Sequence, residues 1–236
     1  PEGRAHFTRL ATDHLHEQVP DEEMRKKLTP DYPVGCRRIL ISDDYFTTLM
    51  QSNVDLITDH IAEIVPDGIK TVDGKTYKYD VLAFATGFET TGWRWSVDVI
   101  GRDGQSITDA WEDGPEAYLG ITVTGFPNFF VLYGPNTNLG HNSITFMLER
   151  QVEYTLKALQ ALDEKGAAAL VPTEAAQAAY NADLQEKLGK TVWADPACNS
   201  WYKTGTGKIT QNWSGHTRAY ADAVAEVKLE DYELVP

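Results

Sequence analysis

Within Asp80-Val81-Leu82-Ala83-Phe84-Ala85-Thr86-Gly87-Phe88, Val81 to Ala85 is an unbroken apolar run that stops at Thr86-Gly87. Continuous apolar character marks a strand buried on both faces, and glycine at its end lets main chain approach a bound group closely. A second such run, residues 129–133, ends in Gly134-Pro135 and leads through a polar loop to Asn142. Ile144, Leu148, Val152, Leu156 and Leu159 then recur at helical spacing, so Ser143 suits the N-cap and a helix is predicted to about Leu162. Strand, loop and helix in this order predict an α/β fold.

Around this unit the chain alternates the same two kinds of element. Asp73-Gly74 separates residues 69–72 from 75–79, and Asp-Gly supplies the positive φ angles of a tight turn, which predicts a β-hairpin. Arg37-Arg38 open the run Ile39-Leu40-Ile41, and residues 54–58 alternate as a half-buried strand does, so both are expected as strands. Residues 1–30 are polar, with Pro20-Asp21-Glu22-Glu23 placing acids where they favour a first helical turn, and two short helices are expected there. Thr173 and Gly189 bracket a further helix over 174–188. Gly205-Thr206-Gly207 is too short for a dinucleotide fingerprint and follows no clear strand.

The 236 residues carry 21 Lys and Arg against 35 Asp and Glu, a net charge of -14 that repels phosphate backbones and anionic lipid. Nucleic acid is therefore not expected as a partner, and the acidic surplus reads as a solubilising face. With 42% hydrophobic residues the chain can bury a sizeable core. Its apolar runs are far shorter than the roughly 20 residues a membrane-spanning helix needs. Cys36 and Cys198 form no framework and no leader pattern opens the chain, so a reducing cytoplasm is expected and a disulfide is not. A start at Pro1 that leads straight into helix-prone sequence reads as a piece of something longer.

Tyr32-Pro33-Val34-Gly35-Cys36-Arg37-Arg38 is followed by the block at 80–88, then by Tyr118-Leu119-Gly120, Gly125-Phe126-Pro127-Asn128 and Tyr133-Gly134-Pro135-Asn136. With the late Asn199-Ser200-Trp201-Tyr202, these blocks in this order resemble class B flavoprotein monooxygenases of the Baeyer-Villiger type. The resemblance runs over nearly the whole chain from Tyr32 onward. It implies the C-terminal part of a flavoprotein with two dinucleotide-binding, Rossmann-like domains for FAD and NAD(P). Residues 1–34 would close a helical insertion, 35–82 would finish the NADP domain, and 83–236 would be the second part of the FAD domain. The family's glycine-rich FAD and NADP fingerprints and its histidine-bearing signature have no match, so a missing N-terminal half is the expected partner. Alone, the chain is expected to bind neither FAD nor NADPH well and to be inactive.

The resemblance also implies a chemistry, in which NADPH reduces FAD, dioxygen adds to the reduced ring, and the oxygenated flavin, kept anionic, attacks a ketone to give an ester or lactone. Guanidinium suits the holding of such an anion, being charged at any working pH and presenting a rigid fork of donors. By the family pattern Arg38 is the catalytic residue at the flavin, and Arg37, usually a lysine, faces the NADP phosphate. Thr86 and Gly87 would meet cofactor through main chain, Ser143 and Ile144 would turn a helix N-terminus towards the flavin, and Trp201 would pack on the nicotinamide nucleotide. Ordinary explanations exist for each: a solvated arginine pair, a strand-end turn, a helix cap, a core tryptophan. Trp93, Trp95 and Trp111 suit either an aromatic lining or the core. His14 and His16 do not share a helical face and no metal is expected, while His141 reads as a loop residue. N- or S-oxygenation on the same fold, and a non-catalytic remnant or association module, are the competing functions.

Overall fold

A computed structural model of the chain describes residues 2–87 and 97–236. Phe88, Trp93 and Trp95 lie outside the described residues. Two compact units appear, Pro1–Val34 with Leu40–Glu89, and Gly35–Ile39 with Thr90–Pro236.

The first unit begins with α1 (Glu2–Gln18) and α2 (Glu22–Leu28), the two helices expected, of which only the second is short. Asp21 caps α2 by accepting from the Met24 amide at 2.7 Å, and Glu22 and Glu23 follow in the first turn, where the helix dipole favours negative charge. After α3 (Tyr45–Leu49) comes an antiparallel sheet of β1 (Ile61–Val65), β2 (Gly68–Thr71) and β3 (Thr76–Lys78) in that order. The expected hairpin is β2 and β3, with Ile69 opposite Tyr77. Gly74 takes φ +86°, and Asp73 Oδ1 accepts from the Thr71 hydroxyl at 2.6 Å and the Lys75 amide at 3.2 Å. The Lys75 ammonium and these donors hold the Asp73 carboxyl down to about 2.

Three expected strands are corrected. Residues 39–41, 54–58 and 81–85 form no strand among the described residues, and Leu40, Ile41, Val81 and Phe84 stand in solvent. A strand exists only where its amides and carbonyls find a ladder, and apolar sequence does not by itself supply the neighbour.

The second unit holds α4 (Ile107–Ala110), α5 (Ile144–Lys165), β4 (Ala169–Pro172), α6 (Glu174–Leu188), α7 (Thr217–Ala223) and β5 (Tyr232–Val235), with β4 and β5 antiparallel. Ser143 and Thr173 are the N-caps of α5 and α6, as their sequence positions imply. Helix α5 runs one turn beyond Leu162, to a left-handed Gly166. Its buried face (Met147, Gln151, Tyr154, Ala158, Leu162) packs with Leu184, Leu188 and Tyr220. The buried Tyr154 and Tyr232 hydroxyls share a hydrogen bond of 2.8 Å.

Residues 129–133 are also not a strand, contrary to expectation; only Phe130 makes an isolated bridge, to Thr122. They are nevertheless anchored, because the Val131 amide donates to Ile121 O at 2.7 Å and Val131 joins a core of Ile107, Trp111, Val123 and Phe126. Trp111 is thus core, its indole donating to Glu116 O at 2.9 Å. The expectation against a disulfide is overturned as well: Cys36 and Cys198 are joined, their Cα atoms 5.4 Å apart, within the span a disulfide bridges. A separation of 162 residues leaves no local spacing from which the pairing is readable.

Candidate active site

The second unit holds Gly35–Ile39 together with the blocks at 118–120, 125–128, 133–136 and 199–202. Gly35–Ile39 enters it as a short strip attached to Leu139, Trp193, Cys198 and Asn199. The Trp193 indole donates to Gly35 O at 3.2 Å, and Cys36 is bonded to Cys198. The Arg37 guanidinium donates from Nε and Nη2 to Asn199 O at 3.3 and 3.2 Å, and Arg38 donates from Nη2 to Leu139 O at 3.0 Å. The two arginines therefore address different acceptors, although the strip is not a strand. Among the described residues no carboxylate pairs with Arg38.

The acceptor loop of Arg38 is built on close backbone approach. Gly120, at φ +69°, packs so that a Cβ there would stand 2.3 Å from Thr137 Cγ2 and 2.7 Å from Pro135 O. Leu119, Tyr133 and Asn136 also hold φ between 56° and 59°, a conformation that costs a non-glycine residue of order 1–3 kcal/mol and that clusters at functional sites. Side chains hold these turns. Gln151 Oε1 accepts from the Tyr133 amide at 2.8 Å, and Asn136 Nδ2 donates to Ile209 O and Asn212 O. The Tyr133 hydroxyl donates to Asn138 Oδ1 at 2.8 Å, and Asn138 Nδ2 donates to Asn212 Oδ1 at 2.6 Å. Burial raises the Tyr133 phenol above its ordinary range while the charge of Arg38 opposes that rise.

Trp201 lies against Tyr202, ring centroids 4.4 Å apart, with 41% of its surface exposed while Tyr202 is buried. The Tyr202 hydroxyl and Asn212 Nδ2 are buried without a hydrogen-bond partner among the described residues, a state that native structures resolve with a water or a ligand. Ser143 receives the Phe146 amide at 3.4 Å, and its own amide donates to Asn142 Oδ1 at 2.8 Å. His141 is exposed, its ring edge-on to His216 at 6.4 Å. Among the described residues no group of three or more His, Cys, Asp or Glu is placed to hold a metal ion, and no helix is long and apolar enough to cross a membrane.

Thr86 and Gly87 belong to the first unit, where Gly87 takes φ +86° and a Cβ would meet nothing within 4 Å. The structure thus places Arg37, Arg38, Ser143, Ile144 and Trp201 in one unit, whereas the sequence reading divided them between an NADP part and an FAD part and did not single out Tyr133, Asn138, Tyr202 and Asn212. Tyr133 and Tyr202 stand inside quoted blocks; Asn138 and Asn212 are 74 residues apart and had no common signal.

No protein-family model matches the chain. A Baeyer-Villiger monooxygenase of Pseudomonas aeruginosa is 40% identical over 96% of this chain and 43% of its own length. An FAD-binding monooxygenase of Aspergillus niger is 41% identical over 97% and 38%, and a Baeyer-Villiger monooxygenase of Streptomyces coelicolor 36% identical over 96% and 44%. The chain thus spans less than half the length of these curated relatives. Among solved structures, OTEMO in complex with FAD and NADP superposes with a TM-score of 0.88 at 29% identity, covering 99% of this chain and 45% of that one. An oxidised steroid monooxygenase bound to NADP gives 0.87 at 27%, covering 100% and 46%. In sequence and in fold, the chain belongs to the Baeyer-Villiger family of flavoprotein monooxygenases, as a part of the length its members have.

Proposed function

We propose that the chain is the arginine- and tryptophan-bearing part of an NADPH- and FAD-dependent monooxygenase that inserts one oxygen atom of dioxygen into a ketone, giving an ester or lactone. The observation that carries this reading is Arg38, a guanidinium that among the described residues has no carboxylate partner, donates to the Leu139 carbonyl and acts through its charge on the Tyr133 phenol. Unneutralised positive charge at a fixed point is what an anionic oxygen needs.

The residues present fit the two cofactors: the arginine pair, the exposed face of Trp201, and the Tyr202 hydroxyl and Asn212 Nδ2, both buried without a partner among the described residues. FAD, when bound, supplies the redox and oxygen chemistry. Arg38 holds negative charge on the attacking oxygen and on the former ketone oxygen. Arg37 faces the phosphate of NADPH, Trp201 packs on its nicotinamide nucleotide, and the amides at the start of α5, near Ser143 and Ile144, favour negative charge on the flavin ring. Thr86 and Gly87 offer main chain to cofactor. The division at 34 and 82 into helical insertion, NADP part and FAD part is kept in this reading, and the remaining half of the protein, as the partner, brings the glycine-rich nucleotide loops. A cytoplasmic location is kept too, with the disulfide as the feature that weighs against it.

Alone, the chain retains neither cofactor and purifies colourless; an absorption spectrum showing about one bound flavin per chain, the yield of a single FAD-binding Rossmann unit, overturns this. In a full-length protein, Arg38→Ala is expected to lower oxygen transfer roughly 100- to 1000-fold, the usual effect of losing one preorganised electrostatic donor. NADPH oxidation continues and hydrogen peroxide replaces ester. Ester formed at the parental rate by Arg38→Ala defeats the assignment.

A further inference from the structure

We infer that Cys36 and Cys198 are positioning residues: their bond sets the arginine strip in register with the tryptophan loop. The inference rests on the functional reading above for its activity readouts. Cys36 directly precedes Arg37, and Cys198 directly precedes Asn199, whose carbonyl accepts both Arg37 donors. The disulfide and that bidentate contact thus close a small ring through four residues in two adjacent pairs. Arg38 lies one residue beyond on one side, and Trp201 three residues beyond Cys198 on the other.

The strip needs such a fastening. Only Gly35–Ile39 belongs to the second unit, with chain of the first unit on both sides of it in sequence. Hydrogen bonds from Trp193, Arg37 and Arg38 also hold it, the Arg38 bond being partly buried and the Arg37 contact with Asn199 O exposed. An exposed hydrogen bond exchanges readily with water and holds geometry weakly. The disulfide is the one covalent link between the strip and residues 198–202 among the described residues, and both cysteines are fully buried. A guanidinium that must meet a developing charge loses most of its effect when displaced by a fraction of its hydrogen-bond length. The bond forms when the two thiols give up two protons and two electrons to a peroxide such as hydrogen peroxide, which leaves as two waters. Dithiothreitol reverses it, taking up the bond as its own cyclic disulfide.

The test uses the full-length, flavin-loaded protein, with peptide mapping under non-reducing conditions to establish the Cys36–Cys198 link. Ester formed per NADPH oxidised, and KM for NADPH, are measured before and after dithiothreitol, and in Cys36→Ser and in Cys36→Ala/Cys198→Ala. Partial unfolding lowers ester and NADPH oxidation together and leaves their ratio unchanged, whereas misplacing Arg38 lowers the ratio. The ratio is expected to fall on the order of tenfold on reduction and in both variants, short of the roughly 100-fold that a 1 Å misplacement can cost. KM for NADPH rises through Arg37, and dithiothreitol has no further effect on the double variant. Reduction of the folded parental protein gives the answer if a variant does not fold. Both thiols free in a fully coupled enzyme overturn the inference, as does an unchanged ratio and KM after reduction while Arg38→Ala abolishes ester. Ester at the parental rate from Arg38→Ala overturns the functional reading and this inference with it.

Discussion

Residues 81–85 and 129–133 are alike on paper: five apolar residues ending in a small-residue turn, each expected as a strand. The structure makes neither a strand, yet it buries the middle of the second and leaves every residue of the first exposed. Val81 is 81% exposed, whereas Val131 is 7% exposed and packs with Trp111 and Phe126. The difference is not in the runs but in what the rest of the described chain offers them. Ile121 supplies an acceptor to Val131 and Gln151 one to Tyr133, while residues 81–85 have no ladder partner. An apolar run reports a demand for burial; whether the demand is met depends on neighbours distant in sequence.

The sharpest way to break the anchored side is at Gly120, which packs on Pro135 and Thr137 just past the second run. Gly120→Ala places a methyl 2.3 Å from Thr137 Cγ2 at a φ that alanine resists. Overpacking and the left-handed backbone together are expected to destabilise by about 3 kcal/mol. Urea unfolding of the chain checks this, and an unchanged midpoint shows that the loop yields instead.

How far the sequence could be read follows from the same contrast. Elements set by local chemistry were legible: the Asp73-Gly74 hairpin and the helices capped by Ser143 and Thr173. The face of α5 was not, because the periodic Val152, Leu156 and Leu159 are exposed while Met147, Gln151, Tyr154, Ala158 and Leu162 are buried. The pair β4 and β5 joins residues 169–172 to 232–235, and neither stretch carries a turn signal that links them. In the candidate site, Arg38 and Trp201 were reached through motif order, whereas Tyr133, Asn138 and Asn212 meet only through tertiary packing. The disulfide was argued away from compartment, a consideration that says nothing about whether two Cα atoms come to 5.4 Å.

A smaller effect separates the hydrogen bonds from the packing on the anchored side. Gln151→Met keeps the volume of a fully buried side chain but removes the acceptor of the Tyr133 amide and the donor to Tyr220. About 2 kcal/mol is expected, the cost of partnerless polar groups inside a protein. The denaturation midpoint should fall with an unchanged slope, and amide exchange at Tyr133 should quicken. Parental exchange at that amide means that Gln151 does not hold the turn.

The smallest expected effect is also the one that tests the comparison itself, because the same substitution can be made in both runs. Val131→Ala removes two methyl groups from a packed core and should cost about 2 kcal/mol, transfer and cavity together. Val81→Ala removes the same atoms from a side chain that already faces solvent, and should change the stability of this chain by no more than about 0.5 kcal/mol. The two measurements share chemistry, protein and method, so their difference reads out burial alone. Equal costs would mean that residues 81–85 are packed in solution, and the contrast between the runs would collapse. A negligible cost for Val81→Ala here, joined to a cost near that of Val131→Ala in a full-length protein, would mean that the neighbours of this run come from the rest of the protein. That pattern also fits what the sequence demanded of residues 81–85, a strand buried on both faces.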